Sequence, residues 1–184
     1  MASNQNLRTA TLAGGCFWCT EAIFQRLKGV ESVIPGYTGG DKDAPSYEEV
    51  SGGGTGHAEA IQVTFDPNII PYTTLVDIFF ATHDPTTLNK QGNDSGTQYR
   101  SAIFYHDDEQ KRIATEKKEE LEKSGKYDEI VTQIVPYVKF YSAEEYHENY
   151  YETHRSAPYC MFVIDPKVRK LMEHFKKEVK DEYK

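Results

Sequence analysis

The sequence predicts an α/β fold, a single domain in which a mixed β-sheet carries packed helices and long coil segments. Three observations predict it. Strand-like and helix-like segments alternate without a linker or an internal repeat. The 184 residues suit one domain with a sizeable core. Glycine-rich stretches interrupt the pattern at lengths that functional surface loops often have.

Each element has its own signal. Residues 8–13, RTATLA, form a short strand running into Gly14-Gly15. Cys16, Cys19, Ile23 and Leu27 then fall at i, i+3, i+7 and i+11, one face of a helix that Gly29 can stop. VESVIPGYTGG is a strand ending in a loop, and residues 39–56, with SGGGTG, read as a long surface loop. In HAEAIQVTF, residues 57–65, Ile61, Val63 and Phe65 share one parity, which also holds His57 and Glu59. Pro71 opens a helix with the stripe Tyr72, Leu75, Val76, Phe79 and His83. Residues 84–98 are a polar loop rich in turn formers. YRSAIFY is a strand, 107–124 a charged surface helix and EIVTQIVPYV another strand. SAEEYHENYYETH places Ala143, Tyr146, His147, Tyr150, Tyr151 and His154 on one helical stripe, which reads as a packing face. Asp165-Pro166 caps a last amphipathic helix, about 166–182, with Val168, Leu171, Met172, Phe175 and Val179 inward.

Composition narrows the function. Charged residues make up 27% and hydrophobic ones 38%, ordinary for a soluble protein. A net charge of -8 argues against nucleic acid or an anionic membrane as partner. No apolar run has the length of a membrane span, and the N-terminus lacks a secretory pattern, so a cytoplasmic location is expected. Nothing suggests a coiled coil, and a monomer is expected. Three cysteines do not make a stapled secreted scaffold; thiols in a reducing compartment are catalytic, metal-binding or simply buried.

The chemistry concentrates in GGCFWCTE, residues 14–21. A thiol at a helix start faces unpaired N–H groups and the positive end of the helix dipole, which favour the nucleophilic thiolate at Cys16. Gly14 and Gly15 would let a substrate approach the backbone. Cys19 completes a C-x-x-C, which by itself leaves a redox pair, half a zinc site or two core thiols open. Zinc requires four ligands, and only Cys160 and scattered histidines remain, so no metal is expected. HENYY resembles a zinc-protease helix but has Tyr151 where the second histidine must stand. Glu59 sits on the apolar parity of its strand. Burial there would raise its pKa and let it donate a proton near neutrality. Tyr47, Asp94 and Tyr99 border the two polar loops and are weaker candidates.

These segments carry a resemblance. GGCFWCTEAIF, GYTGG followed by YEEV, GHAEAIQVTFDP, HDPTTLNKQGNDSGTQYRSAIFY and FYSAEEYHENYY are similar, in order, to the A-type peptide methionine sulfoxide reductases. The match runs from about residue 8 to about residue 160. It implies an α+β plait forming one catalytic domain over 1–184, with the core at about 8–160. It implies reduction of the S epimer of methionine sulfoxide, free or in proteins, and so protein repair after oxidative stress. Carried onto this chain, Cys16 is the nucleophile and Glu59 the general acid. Phe17 and Trp18 wall the pocket for the substrate methyl group, Tyr47 and Tyr99 hydrogen-bond the sulfoxide oxygen, and Asp94 completes that polar, substrate-binding network. Many members have Gly where this chain has Cys19, and resolve with a C-terminal cysteine such as Cys160. Cys160 is therefore expected to form the first disulfide, with Cys19 an alternative or a second step. No bound cofactor is implied, only an external dithiol, thioredoxin in the cell or dithiothreitol in vitro. A general C-x-x-C thiol-disulfide oxidoreductase is the alternative function.

Overall fold

The structure, a computed structural model, describes residues 6–184. Its elements are β1 (Arg8–Gly14), α1 (Phe17–Phe24), β2 (Val30–Thr38), α2 (Tyr47–Ser51), β3 (Ala58–Phe65), α3 (Tyr72–Thr82), β4 (Lys90–Gln91), β5 (Asp94–Ser95), β6 (Ser101–Tyr105), α4 (Asp108–Lys123), β7 (Gln133–Pro136), β8 (Phe140–Ser142), α5 (Tyr150–Thr153) and α6 (Asp165–His174). The main sheet has the order β7-β6-β1-β3-β2-β8. Among the described residues only the β6–β7 pair is parallel, so the sheet is mixed as predicted.

Strand parity decides what each face carries. Ile61, Val63 and Phe65 join Leu12, Ile103 and the apolar residues of α1 and α3 in the main core. The opposite parity, Ala58 and Ala60, meets Ala13, Ala102 and Phe104 in a thinner layer. There Thr11 exchanges a hydrogen bond with His106, at 2.8 Å. Glu59 has the parity of Ile61 and therefore points toward the helices. Among the described residues no helix is long and apolar enough to cross a membrane.

Several segments differ from the sequence expectation. The loop at 39–56 contains α2. Ser46 accepts from the Glu49 amide at 3.3 Å and Glu49 accepts from the Ser46 amide at 2.9 Å. This reciprocal cap, worth about 1 kcal/mol, supports a helix of only five residues. The polar loop holds the small β4–β5 ribbon, and β8 adds an edge strand that the sequence had hidden between lysine and serine.

The stripe over 143–154 is not one helix. A 3₁₀ turn, Glu145–His147, and α5 are separated by Asn149 at φ +52°. The Glu21 carboxylate accepts the Asn149 amide at 2.8 Å, and asparagine tolerates the left-handed conformation. A tertiary hydrogen bond thus overrides the helical periodicity.

The last helix is corrected at both ends. A π-helical turn, Cys160–Ile164, runs straight into α6, so Asp165 and Pro166 are the first residues of the helix and Asp165 is not its cap. Pro166 lacks an N–H, which the first turn of a helix tolerates. The helix stops at His174 rather than about 182. Beyond it Val179 pairs with Leu27, and Lys180 donates to the Arg26 carbonyl at 2.8 Å. Arg26, itself buried, lies over the rings of Tyr151 and Tyr183 and pairs with Glu152. The tail is thereby fastened to the exit of α1.

Candidate active site

The site begins at the junction of β1 and α1. Gly15 has φ +92°, a conformation L side chains rarely adopt. A Cβ there would also lie 2.6 Å from the Gln91 side chain. Gln91 is held by two hydrogen bonds to the Asp84 backbone, at 3.0 and 2.9 Å. Gly15 therefore serves a tight turn and close packing; the side the sequence had left for substrate is filled by Gln91. Cys16 is the residue that starts α1, and its carbonyl accepts the Cys19 amide at 3.1 Å.

The state of the thiols follows from burial. Cys16, Cys19 and Cys160 are all free and buried. Desolvation pushes the Cys16 thiol well up, and neighbouring Cys19 and Glu59 push it further. This outweighs the helix start that was expected to favour its thiolate. The hydrogen bond from Cys16 brings Cys19 down to about 7, aided by the Lys167 charge. The two thiols titrate together, so the first proton lost belongs to the pair rather than to either sulfur.

Glu59 is buried in the β3 position that its parity indicated. One carboxyl oxygen accepts the Phe17 amide at 3.0 Å, the residue next to Cys16. That bond favours ionisation, but burial outweighs it and the carboxyl is pushed up to about 8. Glu59 is therefore a neutral acid at pH 7, beside the nucleophile candidate. Glu21, buried on α1, is pushed up to about 7 by the same desolvation. Both groups hold their protons better folded than their ordinary value near 4.5 allows. Their contribution to stability is complete below about pH 4.5 and is lost as pH rises through about 8. Thermal melting should therefore show stability falling from pH 5 to pH 8, and Glu59→Gln should reduce that slope. An unchanged slope would show that Glu59 is already ionised in the folded chain.

The aromatic residues form one cluster with divided roles. Phe17 is 1% exposed and packs against Tyr37, Tyr47 and His147, with ring centroids 5.8, 6.4 and 5.0 Å away. It lies beneath the surface. Trp18 is half-buried, stacks on Tyr150 at 3.7 Å and donates its indole N–H to His147 Nδ1 at 3.1 Å. Only Trp18 of the pair offers much accessible surface.

Tyr47, Asp94 and Tyr99 converge from α2, β5 and the turn before β6. Burial, and then the neighbouring Glu59, Asp94 and Cys16 groups, hold both phenols in the neutral, donating form. Asp94 accepts the hydroxyl of Tyr159 at 2.7 Å, and that hydroxyl lies 3.7 Å from the Cys19 sulfur. Sequence reasoning missed Tyr159, whose only local signal is its place before Cys160. His147 and Glu21 were also missed. The first was absorbed into a false helical stripe, and the second has the sequence look of an ordinary surface acid.

Cys160 shares a buried cluster with Cys16, Cys19, Ala22, Tyr151 and Ile164. Its thiol is pushed up by burial and then by Cys19. Among the described residues no group of three or more His, Cys, Asp or Glu side chains is arranged to hold a metal ion.

A family profile described as peptide methionine sulfoxide reductase matches residues 8–180. The chain is similar to the peptide methionine sulfoxide reductase MsrA of Sulfolobus acidocaldarius, at 57% identity over 170 residues, 92% of this chain and 96% of the relative. Among solved structures it resembles Mxr1 from Saccharomyces cerevisiae in reduced form, with a TM-score of 0.79 and 39% identity over 87% of this chain and 92% of the other. A crystal structure of Mxr1 in complex with Trx2 matches with a TM-score of 0.57 and 29% identity, over 82% and 88% of the two chains.

Proposed function

The chain belongs to the peptide methionine sulfoxide reductase family, and from that premise we propose how its residues divide the thiol-dependent reduction of methionine sulfoxide. The observation that carries the proposal is Glu59, a buried acid with pKa about 8 bonded to the amide beside Cys16. A sulfoxide sulfur is electrophilic, but its oxygen leaves poorly until protonated. Glu59 supplies that proton and Cys16 attacks the sulfur. Trp18, supported from below by Phe17, covers the methyl group and keeps water away. The Tyr47 and Tyr99 hydroxyls donate to the oxygen, and Asp94, which accepts from Tyr159, completes that polar patch. The S epimer is taken from the family resemblance, with methyl and oxygen facing their separate walls and the sulfur facing Cys16.

The electrons come from thiols, so no bound cofactor is needed. The protonated oxygen passes to the Cys16 sulfur as its bond to the substrate sulfur and the Cys16–substrate sulfur bond break, so methionine leaves two electrons richer and Cys16 is oxidised to the sulfenic acid. A second thiol condenses with it, releasing water and forming a disulfide. The place of Cys19 in the first turn of α1, three residues after Cys16, supports Cys19 as that thiol, and the buried cluster that Cys160 shares with both supports Cys160 as the next. This reverses the order expected from sequence. Attack of Cys160 on the Cys19 sulfur frees Cys16 and carries the disulfide to the π-helical turn, where an external dithiol reduces it. The solved complex of a similar chain with Trx2 supports a thioredoxin as that dithiol. The reading extends to a monomer that repairs proteins in the cytoplasm, whose reducing conditions keep the three thiols free.

Disulfide mapping by mass spectrometry after one turnover on the S epimer tests the sequence of steps. Cys160→Ser should accumulate the Cys16–Cys19 bond, and Cys19→Ser should accumulate sulfenic acid. A Cys16–Cys160 bond formed at the wild-type rate in Cys19→Ser would overturn the order. Turnover of the R epimer at the same rate would overturn the pocket assignment.

A further inference from the structure

The wall formed by Trp18 has a support that the chemistry above does not use. The indole N–H donates to His147 Nδ1 at 3.1 Å. That bond requires a bare Nδ1 and so places the ring hydrogen on Nε2. Among the described residues Nε2 is buried without a hydrogen-bond partner, and its closest acidic neighbour is the Glu144 carboxylate at 3.9 Å. His147 is 0% exposed, and its ring is wedged between those of Phe17, Tyr47 and Tyr146. The wedge cannot drift. Glu144, three residues earlier, accepts from the Tyr37 hydroxyl at 3.1 Å and the Tyr47 amide at 3.2 Å, which fastens the turn to β2 and α2.

The second constraint comes from the far side of the indole. Tyr150 stacks on it at 3.7 Å with an interplanar angle of 7°. Tyr150 begins the turn that Glu21 anchors through the Asn149 amide. A stack of this kind fixes tilt but leaves the ring free to slide in its own plane. A directional hydrogen bond at the ring edge stops the sliding.

We propose that His147 is the positioning residue that fixes the Trp18 indole in its plane, so that the wall facing the substrate methyl is set before the substrate arrives. The proposal rests on the reading of Trp18 as that wall. His147 touches no reacting atom and acts only through Trp18. A methyl group is recognised by contact alone, so its recognition depends on where the wall stands.

Trp18 is the only tryptophan of the chain, so its fluorescence reports on this contact directly. His147→Leu should shift the emission maximum and raise KM for S-methionine sulfoxide roughly tenfold with kcat changed little, the size expected for losing one buried hydrogen bond. His147→Asn, whose side-chain oxygen can stand where Nδ1 stands, should restore both. Unchanged emission and KM in His147→Leu, or no rescue by Asn, overturns the proposal. In a Trp18→Phe background, His147→Leu should raise KM no further, and an additional rise would mean that His147 acts elsewhere. Trp18→Phe with wild-type KM would sink the wall itself, and the pocket role of His147 with it. Should the Leu variant not fold, the wild-type protein still decides. Long-range ¹⁵N NMR should find His147 as the Nε2–H tautomer, and an Nδ1–H tautomer overturns the proposal.

Discussion

Cys16→Ser abolishes turnover while leaving the fold intact. Methionine formation from a methionine sulfoxide peptide should fall by about 10⁴-fold or more, because serine at neutral pH is a far poorer nucleophile toward sulfur and cannot form a disulfide. The fold should survive for local reasons. Cys16 starts α1 without a side-chain cap, and serine is among the best residues at a helix start. Far-UV circular dichroism and melting temperature check that half of the expectation. Residual turnover near the wild-type level would mean that another thiol attacks the substrate. Substrate that still binds to the inert variant would separate recognition from chemistry.

Glu59→Gln is the second large effect. The amide keeps the size of the side chain and can still accept from the Phe17 amide, but carries no transferable proton. The value of kcat should fall by roughly 10²–10⁴-fold, the range for general acid catalysis. The pH profile gives a sharper reading. Glu59 is competent while protonated, so wild-type kcat/KM should decline as pH rises through about 8. The thiol pair is competent once it has lost a proton, so the acid limb should lie near the value of about 7 carried by Cys19. Glu59→Gln should lose the alkaline limb and keep the acid one. An unchanged kcat would remove Glu59 from the role of proton donor.

The site was partly legible in the sequence, for identifiable reasons. Cys16 and Glu59 announce themselves locally, one by a glycine turn before a helix and the other by strand parity. The mixed sheet follows from strands of alternating pattern and from β7, which returns after the long helix α4 to lie parallel to β6. Tyr159, His147 and Glu21 had no such signal. Their partners lie 65 residues or more away along the chain, at Asp94, Trp18 and Asn149. Periodicity misled at 143–154, where one carboxylate anchors a left-handed asparagine against the helical pattern. It also overextended the last helix, whose continuation instead pairs with Leu27.

The sequence by itself determined the class of the fold, the family and the chemical types at the centre, because turn residues, strand parity and ordered motifs are local properties of the chain. Only the tertiary structure decided their states. Burial, which depends on what the rest of the chain places overhead, keeps Glu59 protonated and pushes the Cys16 thiol up. The two sulfurs of the C-x-x-C, buried side by side, titrate as a pair, and the helix start does not set either one alone. Desolvation and long-range contacts set these values, and neither is written in the neighbouring residues.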